Sequence, residues 1–149
     1  MLEIKKILLA TDLGGNSERA TEYARLFVSQ FNAELHVLHV LEDVPTNTPV
    51  FGGGIALNTY IHESASVAEQ KIHTLFEPSW RIGKKLFAAT ADGEPATEVL
   101  RYTTEHGIDL IVLGTHGRSG LSQILLGSVA AKVTHQAKCP VVVVRSRLE

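Results

Sequence analysis

Residues Asp109 to Ser128 read Asp-Leu-Ile-Val-Leu-Gly-Thr-His-Gly-Arg-Ser-Gly-Leu-Ser-Gln-Ile-Leu-Leu-Gly-Ser and are the most informative part of the sequence for the fold. Its first part, Asp109–Gly114, is a short apolar run that predicts a strand. A glycine-rich turn follows, and a helix is predicted from about Leu125 to Gln136. The stretch therefore indicates a strand that leads through a turn into a helix.

The same alternation extends along the rest of the chain. Further strands are predicted at Ile4–Ala10, Leu35–Leu41, Leu86–Ala91 and Pro140–Arg145. Further helices are predicted from a cap at Ser17 to about Phe31, from about Tyr60 toward Phe76, and over Glu94–His106, ending at Gly107. Between the second strand and the second helix, residues 42–59 contain prolines and a triglycine, which predict a long mobile loop. This loop is either a lid over a ligand or a tolerated surface segment.

Strands that alternate with helices imply right-handed crossovers and a parallel sheet. We therefore predict one α/β domain over residues 1–149. It has a five-stranded parallel sheet in the order 3-2-1-4-5, flanked by helices on both faces in a Rossmann-like arrangement. Such a sheet has a switch point beside its first strand, and ligands bind there, outside the carboxyl ends of the strands.

Composition excludes several classes of protein. The 149 residues are 44% hydrophobic and 20% charged, which is ordinary globular usage. Fourteen Lys and Arg against sixteen Asp and Glu give a net charge of −2, which disfavours nucleic-acid binding. The single cysteine, Cys139, excludes an internal disulfide. The apolar run at the N-terminus is too short for a signal peptide or a membrane span, so we expect a cytoplasmic protein with no membrane partner.

The glycine-rich turn has the chemistry of a phosphate site. Glycines let the backbone approach an anion closely, and free amides at a helix start point toward it. Ser128 adds a hydroxyl donor and Arg118 a positive charge. However, the spacing matches neither the dinucleotide fingerprint nor the Walker loop. On spacing alone, glycines that serve only the backbone geometry of the turn remain an equal alternative.

The spacing Gly114-x2-Gly117-x9-Gly127-Ser128 resembles the G-2x-G-9x-G-S/T signature of the ATP-binding branch of the universal stress protein family. The resemblance covers the whole chain. It includes Ile7-Leu-Leu-Ala-Thr-Asp12, His39-Val40, Gly93-Glu-Pro-Ala and the tail Cys139-Pro-Val-Val-Val-Val-Arg145. Leu13-Gly14-Gly15 departs from the family pattern, which leaves the shape of the first loop open. The fold that it implies is the adenine nucleotide alpha hydrolase-like form of the Rossmann-like arrangement.

The resemblance implies an ATP site, with Mg²⁺ bound through the phosphates. The nucleoside would lie among Ala10, Thr11 and Asp12, the adenine edge against a backbone group of Val40, and the ribose against Leu113. The phosphates would lie among Gly114, Gly117, Arg118, Gly127, Ser128 and Val129, with His116 in the same loop.

Three functions remain open at this point. The first is an ATP-binding regulatory protein of the stress response that uses nucleotide occupancy as a switch and has an unidentified protein partner. The second is a weak ATP hydrolase or phosphoryl-transfer enzyme, for which Asp12, His116 and Arg118 are the candidate groups. The third is a nucleotide-independent dimeric interaction module whose glycine turn is purely structural.

Other features have plainer interpretations. The apolar run Val141–Val144 at a sheet edge predicts pairing with a second copy, and the resemblance implies the same homodimer. The alternative is that Ser146–Glu149 or a loop folds over this edge. Asp12 is also suited to a turn at the end of a strand. Cys139 is expected to be a small buried residue, and Trp80 and Phe76 are expected to pack between helices. His36 and His39 lie on opposite faces of one strand, so no metal site is expected there.

Overall fold

A parallel sheet in the order β3-β2-β1-β4-β5 forms the centre of the protein. The computed structural model describes residues 1–41, 54–115 and 126–146, with the backbone alone for residues 54–57. The strands are β1 (Lys6–Ala10), β2 (Glu34–Leu41), β3 (Leu86–Asp92), β4 (Leu110–Gly114) and β5 (Val141–Val144). The helices are α1 (Glu18–Phe31), α2 (Gly54–Thr74), α3 (Pro78–Arg81), α4 (Pro95–His106) and α5 (Ser128–Gln136).

Each face of the sheet has its own apolar core. On one face, Ile7 and Leu9 of β1 pack with buried residues of α1 and with Ile72 of α2. On the other face, Leu8 of β1 and Ile111 of β4 pack with buried residues of α4 and α5. Because adjacent residues of β1 face opposite cores, this strand is buried on both sides, as expected for the centre of a parallel sheet.

The strand order confirms the predicted topology and places the switch point between β1 and β4. Both strands run in parallel, with Ala10 opposite Leu113 at their carboxyl ends. The connection that leaves β1 runs over one face through α1, whereas α4, which precedes β4, lies on the other face. A crevice outside these strand ends is therefore the expected ligand position.

The predicted end of α4 is confirmed, and its predicted first residue, Glu94, is the cap one position before the helix. Pro95 is the first residue of the helix, where its missing N–H costs nothing, and Glu94 accepts hydrogen bonds as the cap. Gly107 follows the last turn with φ 64°, a left-handed conformation that a glycine adopts without strain.

The limits of α2 and α5 differ from the prediction. Helix α2 begins at Gly54, so residues 54–59 of the predicted loop are helical. A glycine is tolerated at a helix start, and the segment that follows it is rich in helix formers. Helix α5 begins at Ser128 and not near Leu125. The rest of the predicted loop, residues 42–53, and with it the lid question, lies outside the described residues.

Two further predictions about helix ends are wrong. Pro78 neither ends nor kinks α2, which stops at Thr74; it begins α3. Ser17 occupies the predicted N-cap position of α1, but its side chain does not cap the helix, because its hydroxyl donates to the Gly14 carbonyl. The predicted packing of Trp80 is confirmed, since its ring stacks on buried Phe76 at a centroid distance of 5.1 Å.

Candidate functional site

Four apolar residues expected at the site share one face of the sheet. Val40 and Leu113 are buried, and Ala10 and Val129 are partly buried, in the core that α4 and α5 cover. They come from the ends of β2, β4 and β1 and from the start of α5. The predicted site residues of these elements therefore come together on one face, near the carboxyl ends of the strands.

The loop after β1 is held by its own side chains. The hydroxyl of Thr11 donates to Ser17 Oγ at 3.0 Å, and Ser17 Oγ donates to the Gly14 carbonyl at 2.6 Å. The N–H of Gly14 donates to Asp12 Oδ1 at 2.8 Å. The plain interpretation of Asp12 as a turn carboxylate is thus confirmed for one of its oxygens, and the same contact fixes this carboxylate at the end of β1.

The residues on either side of the glycine-rich segment, Thr115 and Gly127, are joined by a hydrogen bond. The N–H of Gly127 donates to the Thr115 carbonyl at 2.8 Å, and the N–H of Thr115 donates to Val144 of β5 at 3.0 Å. Gly114, the last residue of β4, is therefore next to Gly127, the residue before α5. Three of the predicted site residues, His116, Gly117 and Arg118, lie outside the described residues.

The N-terminus of α5 differs from that of α4 in how its amides are used. In α4 the Glu94 carboxylate accepts from the N–H groups of Ala96 and Thr97. In α5 the cap residue is Gly127, which has no side chain with which to accept from the first amides. The initial N–H groups of a helix have no partner within it, and the helix dipole makes this end positive. This end of α5 is suited to bind an anion beside the end of β4.

Two contacts near the site were not predicted. His39 Nδ1 donates to the Thr11 carbonyl at 3.0 Å. Lys132 of α5 donates to Glu94 at 3.0 Å and to Thr97 at 3.0 Å, which ties α5 to the start of α4. The sequence contains no signal that Glu94 and Lys132, 38 positions apart, are in contact. The position of His39, a polar side chain two residues before the end of β2, did indicate that it could bond to a group at the end of a neighbouring strand.

A cleft of about 360 Å³ lies beside the end of β2 on the opposite face. Leu13, His39 and Leu41 line it from the strands and their loops, and α2 forms the other wall. His39 lies between this cleft and Thr11, so its ring separates the cleft from the end of β1.

The remaining candidates show no activated group. Cys139 is partly rather than fully buried, and burial raises the pKa of its thiol, which disfavours the reactive thiolate. His36 and His39 do face opposite sides, toward Tyr102 of α4 and toward the Thr11 carbonyl respectively. In the described ranges, no group of three or more His, Cys, Asp or Glu residues is arranged to hold a metal ion.

Comparison with known proteins identifies the family. The model of the universal stress protein family matches residues 3–145. The chain belongs to this family. A universal stress protein of Bacillus subtilis is 34% identical over 145 residues, with 94% of this chain and 98% of the relative aligned.

Solved universal stress protein structures share the fold. A hypothetical protein of Methanocaldococcus jannaschii, whose structure served to assign its biochemical function, gives a TM-score of 0.84 at 27% identity over 98% of this chain and 99% of the other. A universal stress protein of Archaeoglobus fulgidus in complex with dAMP gives 0.56 at 20% identity, over 96% and 98%. A universal stress protein in complex with cAMP gives 0.63 at 23% identity, over 97% and 98%.

For this member of the family, no helix within residues 1–41, 54–115 and 126–146 has the length and apolar character that a membrane crossing requires.

Proposed function

We propose that this universal stress protein is a cytoplasmic ATP-binding regulatory protein of the stress response, in which nucleotide occupancy changes its contacts with an unidentified protein partner. The observation that carries the proposal is the N-terminus of α5, which has no side-chain cap and is held beside the end of β4 by the bond from Gly127 to Thr115. The spacing of Gly114, Gly117 and Gly127 and two similar folds that hold adenine nucleotides support it.

In this proposal, each part of the site takes one part of the nucleotide. The amides of α5 and the hydroxyl of Ser128 hold the phosphates, through which Mg²⁺ is bound. Thr11 and Asp12 meet the ribose, with Leu113 against its other side. The backbone of Val40 meets the edge of the adenine.

Released nucleotide is the direct test of binding. Freshly purified protein is denatured and the supernatant is chromatographed, with a thermal-shift titration in millimolar ATP and Mg²⁺ beside it. Near-stoichiometric adenine nucleotide supports the proposal. Its absence, together with no thermal shift, contradicts it and favours the nucleotide-independent interaction module.

Gly127→Val tests the position of the phosphates. Gly127 has φ −58° and ψ 155°, which any residue adopts, so the substitution adds bulk without backbone strain. We expect the variant to fold and to lose nucleotide, whereas Ser79→Ala at the exposed start of α3 keeps it. In a phosphate-release assay, equal activity of the parent and Gly127→Val would identify a contaminant rather than an ATP hydrolase.

We also propose that β5 pairs with β5 of a second copy. Ile111 donates to the Pro140 carbonyl and Thr115 donates to the Val144 carbonyl, so the even-numbered residues of β5 bond to β4. The N–H and C=O groups of Val141 and Val143 therefore point to the open edge. An apolar edge strand whose outward amides have no partner among the described residues favours pairing with another strand.

Val143→Pro separates the dimer from the fold. The substitution removes an edge N–H and leaves the β4 ladder intact, so light scattering should give a monomer near 16.2 kDa where the parent gives twice that mass. Val142→Pro is the control, because it breaks a bond to β4 and should lower stability instead. A parent protein that is monomeric at tens of micromolar would contradict the proposed dimer.

A further inference from the structure

The sheet has a second edge at β3, on the side opposite β5. Leu35 of β2 donates to the Lys85 carbonyl at 2.9 Å, and Gly93 donates to the Leu41 carbonyl at 3.5 Å. The odd-numbered residues along β3 therefore bond to β2. The N–H and C=O groups of the even-numbered residues point to the open side, and these residues are Leu86, Ala88, Thr90 and Asp92.

This edge has no protection among the described residues. Within residues 1–41, 54–115 and 126–146, no hydrogen bond joins the outward N–H and C=O groups of β3 to another segment. Sheet edges are commonly protected by a proline, a bulge or an inward-pointing charge. Leu86–Ala91 contains no proline and no charged residue, and the nearest charges stand at its two ends, Lys84 and Lys85 before it and Asp92 after it. The edge is therefore open to one more strand.

The charges at the two ends are complementary to those of an antiparallel second copy. Leu86 and Ala88 pack on the face of the sheet that α2 covers. Side chains alternate along a strand, so Lys84 and Asp92 lie on that face as well. With Ala88 opposite Ala88 of the copy, each Lys84 lies opposite an Asp92. A parallel copy in register would instead place lysine beside lysine.

The other face of the edge gains an apolar contact in the same register. Phe87 is 44% exposed, although its ring stacks on His36 at a centroid distance of 4.7 Å. In the antiparallel pair, Phe87 of each copy lies opposite Ala89 of the other, at a position without backbone bonds where side chains approach most closely. Because alanine is small, both exposed rings have room to pack across the contact.

Backbone pairing is complete in this register. Ala88 exchanges two hydrogen bonds with Ala88 of the second copy, and Leu86 exchanges two with Thr90 at each end of the pair. The same patch is used on both copies, and a two-fold axis passes between the two Ala88 residues.

We propose that β3 pairs in antiparallel orientation with β3 of a second copy, through a two-fold contact centred on Ala88. The inference goes beyond the proposed nucleotide-binding function and requires neither nucleotide nor the pairing of β5. An interface of one strand edge is small, so we expect a dissociation constant of roughly several hundred micromolar. Pairing of β5 therefore dominates at tens of micromolar, and at higher concentration the two edges join copies into an open chain.

Light scattering of Val143→Pro, which removes the proposed pairing of β5, isolates this contact. The mass should rise from 16.2 kDa toward twice that value between about 20 and 1,000 µM. Ala88→Pro in the same background removes an outward N–H and should keep the protein monomeric. Ala89→Pro is the matched control, because it breaks a bond to β2 and should lower stability instead. A mass that stays at 16.2 kDa in Val143→Pro up to about 1,000 µM overturns the proposal.

Charge reversal in the Val143→Pro background tests the register. Lys84→Glu places two carboxylates together at each end of the pair, and Asp92→Lys places two ammonium groups together. Each variant alone should weaken association by roughly tenfold or more. An equimolar mixture of the two should associate as well as Val143→Pro, because each end of the mixed pair again joins opposite charges.

Lys5→Glu is the control for charge reversal, since the Lys5 side chain is 74% exposed at the start of the chain, before β1. It should leave association unchanged. A mixture of Lys84→Glu and Asp92→Lys that associates no better than either variant alone overturns the antiparallel register.

Amide exchange measured by NMR on the parent shows what covers the edge and serves also if Val143→Pro does not fold. In dilute protein the Ala88 and Thr90 amides should exchange fast, whereas β2 protects the Ala89 amide. At about 1,000 µM, Ala88 and Thr90 should exchange roughly threefold more slowly.

Two exchange results would overturn the proposal. Protection of Ala88 that is already present in dilute protein would show that a segment of the same chain covers the edge. Fast exchange at both concentrations would show that no second copy adds a strand there. Neither readout uses nucleotide, so failure of the proposed function leaves both unaffected.

Discussion

The carboxylate of Glu94 is a surface group that we expect to contribute measurably to the free energy of unfolding. It accepts from the N–H of Ala96 at 3.2 Å and of Thr97 at 2.8 Å, from the Thr97 hydroxyl, and from Lys132 at 3.0 Å. Hydrogen bonds from Thr97, and then from Lys132, lower the pKa of this carboxyl from 4.5 to about 2. The group thus caps α4 and joins α4 to α5.

The cost of Glu94→Ala follows from these contacts. Loss of a helix cap costs about 1 kcal/mol. The pKa shift alone would correspond to about 3 kcal/mol for a buried group, but the side chain is 53% exposed, and solvent screening reduces it to about 1 kcal/mol. Both figures describe largely the same hydrogen bonds, so we expect Glu94→Ala to destabilise the fold by about 1 kcal/mol, which lowers the melting temperature by roughly 2–4 °C. Glu94→Gln, which keeps acceptors for the amides, should cost about half as much.

Urea unfolding followed by circular dichroism at pH 7 and pH 3 measures the effect. Because the folded pKa lies below the unfolded value, the contribution is present above pH 4.5 and is lost as the pH falls toward 2. The difference between the parent and Glu94→Gln should therefore about halve at pH 3. Lys132→Met in a double-mutant cycle should show a coupling of about 0.5 kcal/mol.

Glu69→Ala, at an exposed position on α2, controls for the loss of one negative charge. A cost of Glu94→Ala below about 0.5 kcal/mol at pH 7, or a cost that is the same at pH 3, would refute the capping argument.

Two further predictions concern the interior. Burial, and next the neighbouring His106, lower the pKa of His36, so the neutral ring stabilises the fold above pH 6.5 and this contribution is lost as the pH falls. His36→Phe should flatten the decrease in unfolding free energy between pH 7.5 and 5.5, and an unchanged slope would contradict this assignment. Phe76 is 1% exposed and stacks on Trp80, so Phe76→Ala should cost about 3–5 kcal/mol in guanidinium unfolding. A cost below about 1.5 kcal/mol would show that the site collapses around the smaller residue.

The architecture of this protein follows from the pattern of apolar residues along the chain. Apolar runs of strand length alternate with helical segments, and only a parallel sheet covered on both faces buries such runs completely. Local chemistry determined the limits of α4, because Pro95 starts a helix without losing a hydrogen bond and Gly107 adopts the left-handed conformation that ends one. The glycine spacing from Gly114 to Gly127 likewise indicated which turn could hold phosphates.

The contacts between distant segments follow from the tertiary packing and not from any local pattern in the sequence. The Thr11 carbonyl accepts from His39, 28 positions away, and Glu94 meets Lys132, 38 positions away. The direction of Val143 toward the open edge depends on the register of β5 with β4. Register and helix position are set by packing of whole faces against each other, so a single segment contains no information about them. The sequence therefore indicated a candidate site, and the packing of the sheet decided which contacts the described residues of that site make.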